Sequence, residues 1–100
     1  MDYILGRNAT GYCYVTGFGV KSPVNPHHRL SASDDMEEPL PGFLVGGPNP
    51  GKQDGCEYPS DIPDECYADV LASYASNEVA INWQGLFTYF IYALNASLQR

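Results

Sequence analysis

The sequence predicts an all-α fold: two helices that follow a long, ordered loop rich in proline and glycine. The placement of chain breakers and charges predicts it. All eight prolines fall between Pro23 and Pro63, and eight of the ten glycines between Gly11 and Gly55. Pro63 suits a first helical position, where its missing N–H would be unsatisfied anyway, and Asp61, Asp64 and Glu65 complement a helix N-terminus. From Val70 to Gln99 the chain then carries one charged residue, Glu78, in a stretch otherwise apolar, aromatic, small or neutral-polar.

Taken in order, Met1–Leu5 reads as the tail of a helix with Gly6 as its stop. Tyr12-Cys13-Tyr14-Val15-Thr16 has strand propensity and forms either a short strand or extended chain. The middle segment has turn sequences, Pro41-Gly42, Gly46-Gly47-Pro48 and Asn49-Pro50-Gly51, but no sustained period. It is a loop of about forty residues, a length that in a small domain is usually functional. Leu30, Phe43, Leu44, Val45 and Tyr58 give it anchors, so it is expected to be ordered. A helix from about Asp64 to Tyr74 follows, and Ser76 or Asn77 caps a second one running to about Leu98. That last helix is apolar on nearly every face, which calls for burial all round. A chain of 100 residues, much of it loop, cannot supply that burial. The segment is therefore expected to be a piece of a larger domain or to bury the helix in an oligomer.

Composition narrows the partners. The chain is at most one domain, and its net charge is −7. Its five basic residues, Arg7, Lys21, Arg29, Lys52 and Arg100, are scattered, which excludes a nucleic-acid footprint and favours a neutral ligand. Val79–Leu98 has membrane length, but Asn82, Gln84, Gly85, Thr88 and Asn95 interrupt it without flanking cations, so no membrane span is expected. No signal peptide is visible at the acidic N-terminus. Asn8-Ala9-Thr10 and Asn95-Ala96-Ser97 fit the glycosylation sequon, which matters only in a eukaryotic secretory route. Cys13, Cys56 and Cys66 form no metal-binding spacing; Cys56 and Cys66 are placed to close a small loop disulfide, while the odd cysteine argues against a disulfide framework.

Glu78 is the residue with the clearest chemistry. A carboxylate in an apolar stretch is costly to bury ionised, so it either reaches water through a cleft or keeps its proton, and both suit a general acid. Read as the opening of a buried helix, it is pulled one way by the helix dipole and the other by desolvation from Tyr74 and Trp83, and desolvation is the larger effect if the site closes. His27 and Arg29 bracket His28, so alternation along the chain lets His27 and Arg29 face a cleft while His28 turns aside. A backbone-bonded loop histidine is the plainer alternative, and no third ligand supports a metal on the His pair. Asp69 alone reads as a solvated or capping carboxylate, and Tyr74 and Trp83, at helical positions, as core aromatics. Asp34, Asp35, Glu37, Glu38 and Asp54 form a solvated loop or include a calcium ligand, without an EF-hand pattern.

Two stretches go further together. Gly19 and Lys21 precede His27 and Arg29; later come Tyr67, Asp69, Tyr74, Glu78 and Ala80. With Asp2-Tyr3-Ile4-Leu5-Gly6-Arg7-Asn8 and Leu44-Val45-Gly46-Gly47-Pro48-Asn49, they make the chain resemble the C-terminal part of a glycoside hydrolase family 9 catalytic domain, the family of cellulases, over almost its whole length. Cys13 departs from the usual Ser or Thr, and Gln84-Gly85 from the usual Asn followed by Ala or Ser.

The resemblance implies the C-terminal portion of an (α/α)6 barrel. It implies hydrolysis of β-1,4-glucosidic bonds with inversion, with Glu78 as general acid and the catalytic base, an Asp, on the missing N-terminal part of the same domain. His27 and Arg29 would bind sugar hydroxyls, Asp69 would support the catalytic group, and Tyr74 and Trp83 would stack on pyranose rings. It further implies a secreted enzyme acting on a β-glucan polysaccharide, with no cofactor beyond a possible calcium in the parent domain. A noncatalytic carbohydrate-binding or oligomerising piece is the alternative.

Overall fold

The computed structural model describes residues 1–33 and 35–99, with Leu30 and Ser31 described by backbone alone. The anchor role of Leu30, Asp34 among the loop acids and the charge of Arg100 lie outside the described residues. Regular structure is helical: α1 (Arg29–Ser33), a 3₁₀ turn at Pro63–Glu65, α2 (Tyr74–Asn77) and α3 (Ile81–Leu98). Among the described residues, β-pairing is limited to isolated bridges, Val15 with Leu44, His27 with Glu78 and Val45 with Val79.

The N-terminal residues form turns rather than a helix tail. Leu5 N–H donates to Met1 O at 3.1 Å and Arg7 N–H to Asp2 O at 3.0 Å, and Gly6 ends the turn at φ +120°. Residues 12–16 are extended chain, and their alternation builds the core. Cys13 and Val15 pack with Phe87 on one side, while Tyr14 packs with Val45 and Tyr67 on the other. Tyr12, Tyr14 and Tyr67 also meet edge to face, with centroids 4.9 and 5.0 Å from Tyr67. Thr16, fully buried, ties the long loop to this segment: its hydroxyl donates to Leu40 O at 2.7 Å and accepts from Phe43 N–H at 2.9 Å.

The expected helix over 64–74 is absent beyond the 3₁₀ turn. Cys66, Tyr67 and Ala68 are buried in succession, which a one-faced helix does not do. Their backbone is claimed from outside: Asn49 N–H donates to Cys66 O at 2.8 Å, and Ala68 N–H donates to Ser76 Oγ at 3.2 Å. The final helix also starts later than Ser76 or Asn77. Gly47 N–H takes Ser76 O at 2.8 Å and His27 N–H takes Asn77 O at 2.9 Å, so those carbonyls have tertiary partners instead of helical ones. Glu78 is extended (φ −74°, ψ 147°), as is the N-cap residue Ala80.

Within α3 only Phe87 is buried; Ile81, Leu86, Tyr89, Tyr92 and Leu98 are all 70% exposed or more. The all-round burial expected of this helix is therefore not supplied by this chain. Gln84 fastens its first turn to the loop, Nε2 donating to Leu44 O at 2.7 Å and Oε1 accepting from Leu44 N–H at 2.9 Å. No helix among the described residues is long and apolar enough to cross a membrane. The Cys56–Cys66 disulfide does not form: all three cysteines are free, and the Cys66 thiol faces the Ile62 and Ser60 carbonyls at 3.2 and 3.4 Å.

Candidate active site

The Asp69 carboxylate organises the ground under the site. It accepts Val24 N–H at 2.8 Å, Asn25 N–H at 2.9 Å and Asn77 Nδ2–H at 3.1 Å. Two loop residues before His27 and the residue before Glu78 thus share one anion. Asn77, fully buried, also donates to Asn25 O at 2.8 Å and accepts from the Tyr67 hydroxyl. Burial first, then the Asp69 charge, pushes the Tyr67 phenol far above its ordinary value, so it remains a protonated donor.

These pegs lay His27 parallel to Glu78. The His27 ring is fixed by a 2.6 Å contact between Nδ1 and Leu71 O. A carbonyl only accepts, so Nδ1 carries a proton and Nε2 is free to turn elsewhere. His27, Arg29 and half-buried Glu78 line one open cleft of about 880 Å³, with Leu71, Val79 and Ile81 as its apolar wall. Glu78 reaches water through this cleft, one of the two outcomes its isolation allowed. It does not open a helix, however: it lies three residues ahead of α3, at the end of α2, so the N-terminal helix dipole expected of a helix-opening Glu does not act on it. His28 lines the same cleft, its ring 4.8 Å from Phe43, and does not turn aside. The reason is that Arg29 begins α1, which stops the alternation of side chains.

Tyr74 stands beside this group, its half-exposed ring 6.2 Å from His27, with its hydroxyl donating to Gln53 O at 2.8 Å. Trp83 lies on the first turn of α3 over Gly46, where an added Cβ would sit 3.6 Å from the indole. It is not among the cleft-lining residues.

Asp54, one loop acid among several in the sequence, has a structural role. Its carboxylate accepts Cys56 N–H, the Tyr58 hydroxyl, the Ser73 hydroxyl and Ala75 N–H at 2.7–3.1 Å. Burial raises its pKa, but these four donors outweigh it and hold the carboxyl down at about 2. It caps α2 from a distant loop, and only the Asp54-Gly55 turn signal hinted at it. Among the described residues no group of three His, Cys, Asp or Glu side chains is placed to hold a metal ion.

A carboxyl on a cleft wall shared with an imidazole and a guanidinium, with an aromatic ring beside the imidazole, is an arrangement that can hand a proton to a polar ligand. The sequence says which class this is. Residues 1–91 match the model of glycosyl hydrolase family 9, and the chain belongs to this family. It is 69% identical over 96 residues to a xyloglucan-specific endo-beta-1,4-glucanase of Bacteroides ovatus, covering 96% of this chain and 16% of that one. It is 40% identical over 89 residues to endoglucanase D of Acetivibrio thermocellus, covering 89% of this chain and 12% of that one. Among solved structures, a thermostable endoglucanase mutant from Alicyclobacillus acidocaldarius superposes with a TM-score of 0.86 at 41% identity, over 92% of this chain and 18% of the other. The Bacteroides ovatus family 9 structure gives 0.72 at 69% identity, over 84% and 14%. The chain thus spans less than a fifth of the relatives it matches.

Proposed function

We propose that this chain is the C-terminal segment of a family 9 catalytic domain, an (α/α)6 barrel, and forms the acid side of the active site of a β-1,4-glucan hydrolase. The observation that carries this is Glu78, half-buried on a cleft wall and laid parallel to His27 with Arg29 alongside. The Glu78 carboxyl gives its proton to the leaving glycosidic oxygen as the bond to the anomeric carbon breaks. A base on the part of the domain outside this chain takes a proton from water, whose oxygen bonds to that carbon from the opposite face, inverting it. The two carboxyl groups of such a pair stand about 6.5–9.5 Å apart to leave room for the water.

His27, through Nε2, and Arg29 bind sugar hydroxyls. Asp69 keeps the His27 loop against Asn77, and Tyr74, beside the His27 ring, offers its face to a pyranose ring. The glucan backbone shared by the substrates in the relatives' names supports a cellulose-like or xyloglucan-like substrate. A polymer too large to import supports a secreted enzyme. The exposed apolar face of α3 supports a missing remainder of the domain packed against it.

The test is Glu78→Gln in the complete enzyme, assayed on xyloglucan and carboxymethylcellulose. Loss of a general acid is expected to lower kcat by about 10²–10⁴-fold with glucan binding intact. Activity within about threefold of the parent would remove Glu78 from the acid role. Glucan binding with no hydrolysis by the complete parent enzyme would favour a noncatalytic sugar-binding piece instead.

A further inference from the structure

We propose that Asn77 is a positioning residue for this site: a buried amide that sets where Glu78 stands relative to His27. This rests on the reading of Glu78 as the acid. Asn77 is fully buried and every polar group of its side chain is used. Its Oδ1 accepts from Tyr67, its Nδ2 donates to Asn25 O and to Asp69 Oδ1, and its backbone carbonyl takes the His27 N–H at 2.9 Å. Only an amide offers an acceptor and two donors in one short side chain. Leucine there would leave the Asn25 carbonyl and the Tyr67 hydroxyl unpaired, and glutamine would have to fit an extra methylene into a closed site.

The role matters because of what holds Glu78. Among the described residues, nothing hydrogen-bonds or ion-pairs with the Glu78 carboxyl. Its direction is therefore set by its backbone, and that backbone is fixed by the residue before it. Asn77 is joined on one side to the 24–25 turn that leads into His27 and on the other to Tyr67 and Asp69. The titratable groups facing its side chain are Tyr67 and Asp69; His27 meets it through the main chain.

The test compares the parent enzyme with Glu78→Gln, Asn77→Ala and Asn77→Asp, measuring kcat and KM on cellopentaose from pH 7 to pH 4.5. Asn77→Ala is expected to lower kcat by about 10²-fold, the scale of an ångström misplacement, with KM within about threefold. Asn77→Asp sets a second carboxylate against Asp69, and regains a donor only when protonated. Its kcat relative to the parent at each pH is therefore expected to rise by about tenfold as the pH falls across that range. A kcat for Asn77→Ala within about threefold of the parent, or a flat ratio for Asn77→Asp, overturns the proposal. If Asn77→Ala fails to fold, the isosteric Asn77→Asp decides. A dead Glu78→Gln beside an unaffected Asn77→Ala sinks Asn77 alone; an active Glu78→Gln sinks the acid reading itself.

Discussion

Replacing Asp54 with Asn should weaken the domain at neutral pH and weaken it less in acid. The substitution keeps one acceptor oxygen for the Cys56 N–H but removes the charge that Tyr58, Ser73 and Ala75 all donate to. The carboxyl is held at about 2 against an ordinary 3.8. A tenfold change in proton affinity corresponds to about 1.4 kcal/mol, and partial exposure of the group screens it, which leaves about 1–2 kcal/mol. The folded value lies below the unfolded one, so this stabilisation is complete above pH 3.8 and is lost as the pH falls toward about 2. The assay is urea unfolding of the complete domain, parent against Asp54→Asn, at pH 6 and pH 3. The gap in unfolding free energy should narrow in acid. A gap that stays constant with pH would refute the reasoning, because the effect would then be steric and not electrostatic. Asp54 also accepts the Ala75 N–H of α2, so the variant should lose activity before it unfolds.

The isolated 100-residue chain is expected to show no turnover of carboxymethylcellulose and to associate on size-exclusion chromatography, because α3 exposes its apolar faces; hydrolysis by the purified chain would contradict this. Gly17→Ala should cost the complete domain about 1–3 kcal/mol in chemical denaturation, the scale of local strain. Gly17 has φ +77°, and a Cβ there would lie 2.6 Å from Pro41 Cβ; an unchanged unfolding midpoint would show that the 41–42 turn simply moves aside.

How much was legible can be judged from single residues. Glu78, His27 and Arg29 line one cleft with Asp69 under the His27 loop, and His28, which alternation along the chain set apart, lines it too. The ordered loop was legible from its anchors: Val45 is buried, and Phe43, Leu44 and Tyr58 are half-buried. The helix over 64–74 was misread because Pro63 and its acids are a sound local signal, while the partners that pull residues 66–68 into extended chain lie far away in sequence, at Asn49 and Ser76. The start of the last helix was misplaced for the same reason. Ser76 and Asn77 look like caps, yet their carbonyls are taken by Gly47 and His27. The sequence marks neither Asn77 nor Asp54 as a residue that holds the site together. Their importance lies in what surrounds them, and neither residue type advertises it.

By itself, the sequence determined the family, the helical character of the C-terminal stretch, the ordered loop and the residues with chemistry to offer. Those rest on local composition and on motif order, which are properties of neighbours along the chain. Only the tertiary structure decided that Glu78 stands in an extended link ahead of α3, that His28 joins the cleft, and that Asn77 and Asp54 tie distant loops to the segment around Glu78. The physical reason is that a buried polar group must find a partner wherever the fold supplies one. Which carbonyl pairs with which amide is therefore settled between segments that the sequence keeps far apart.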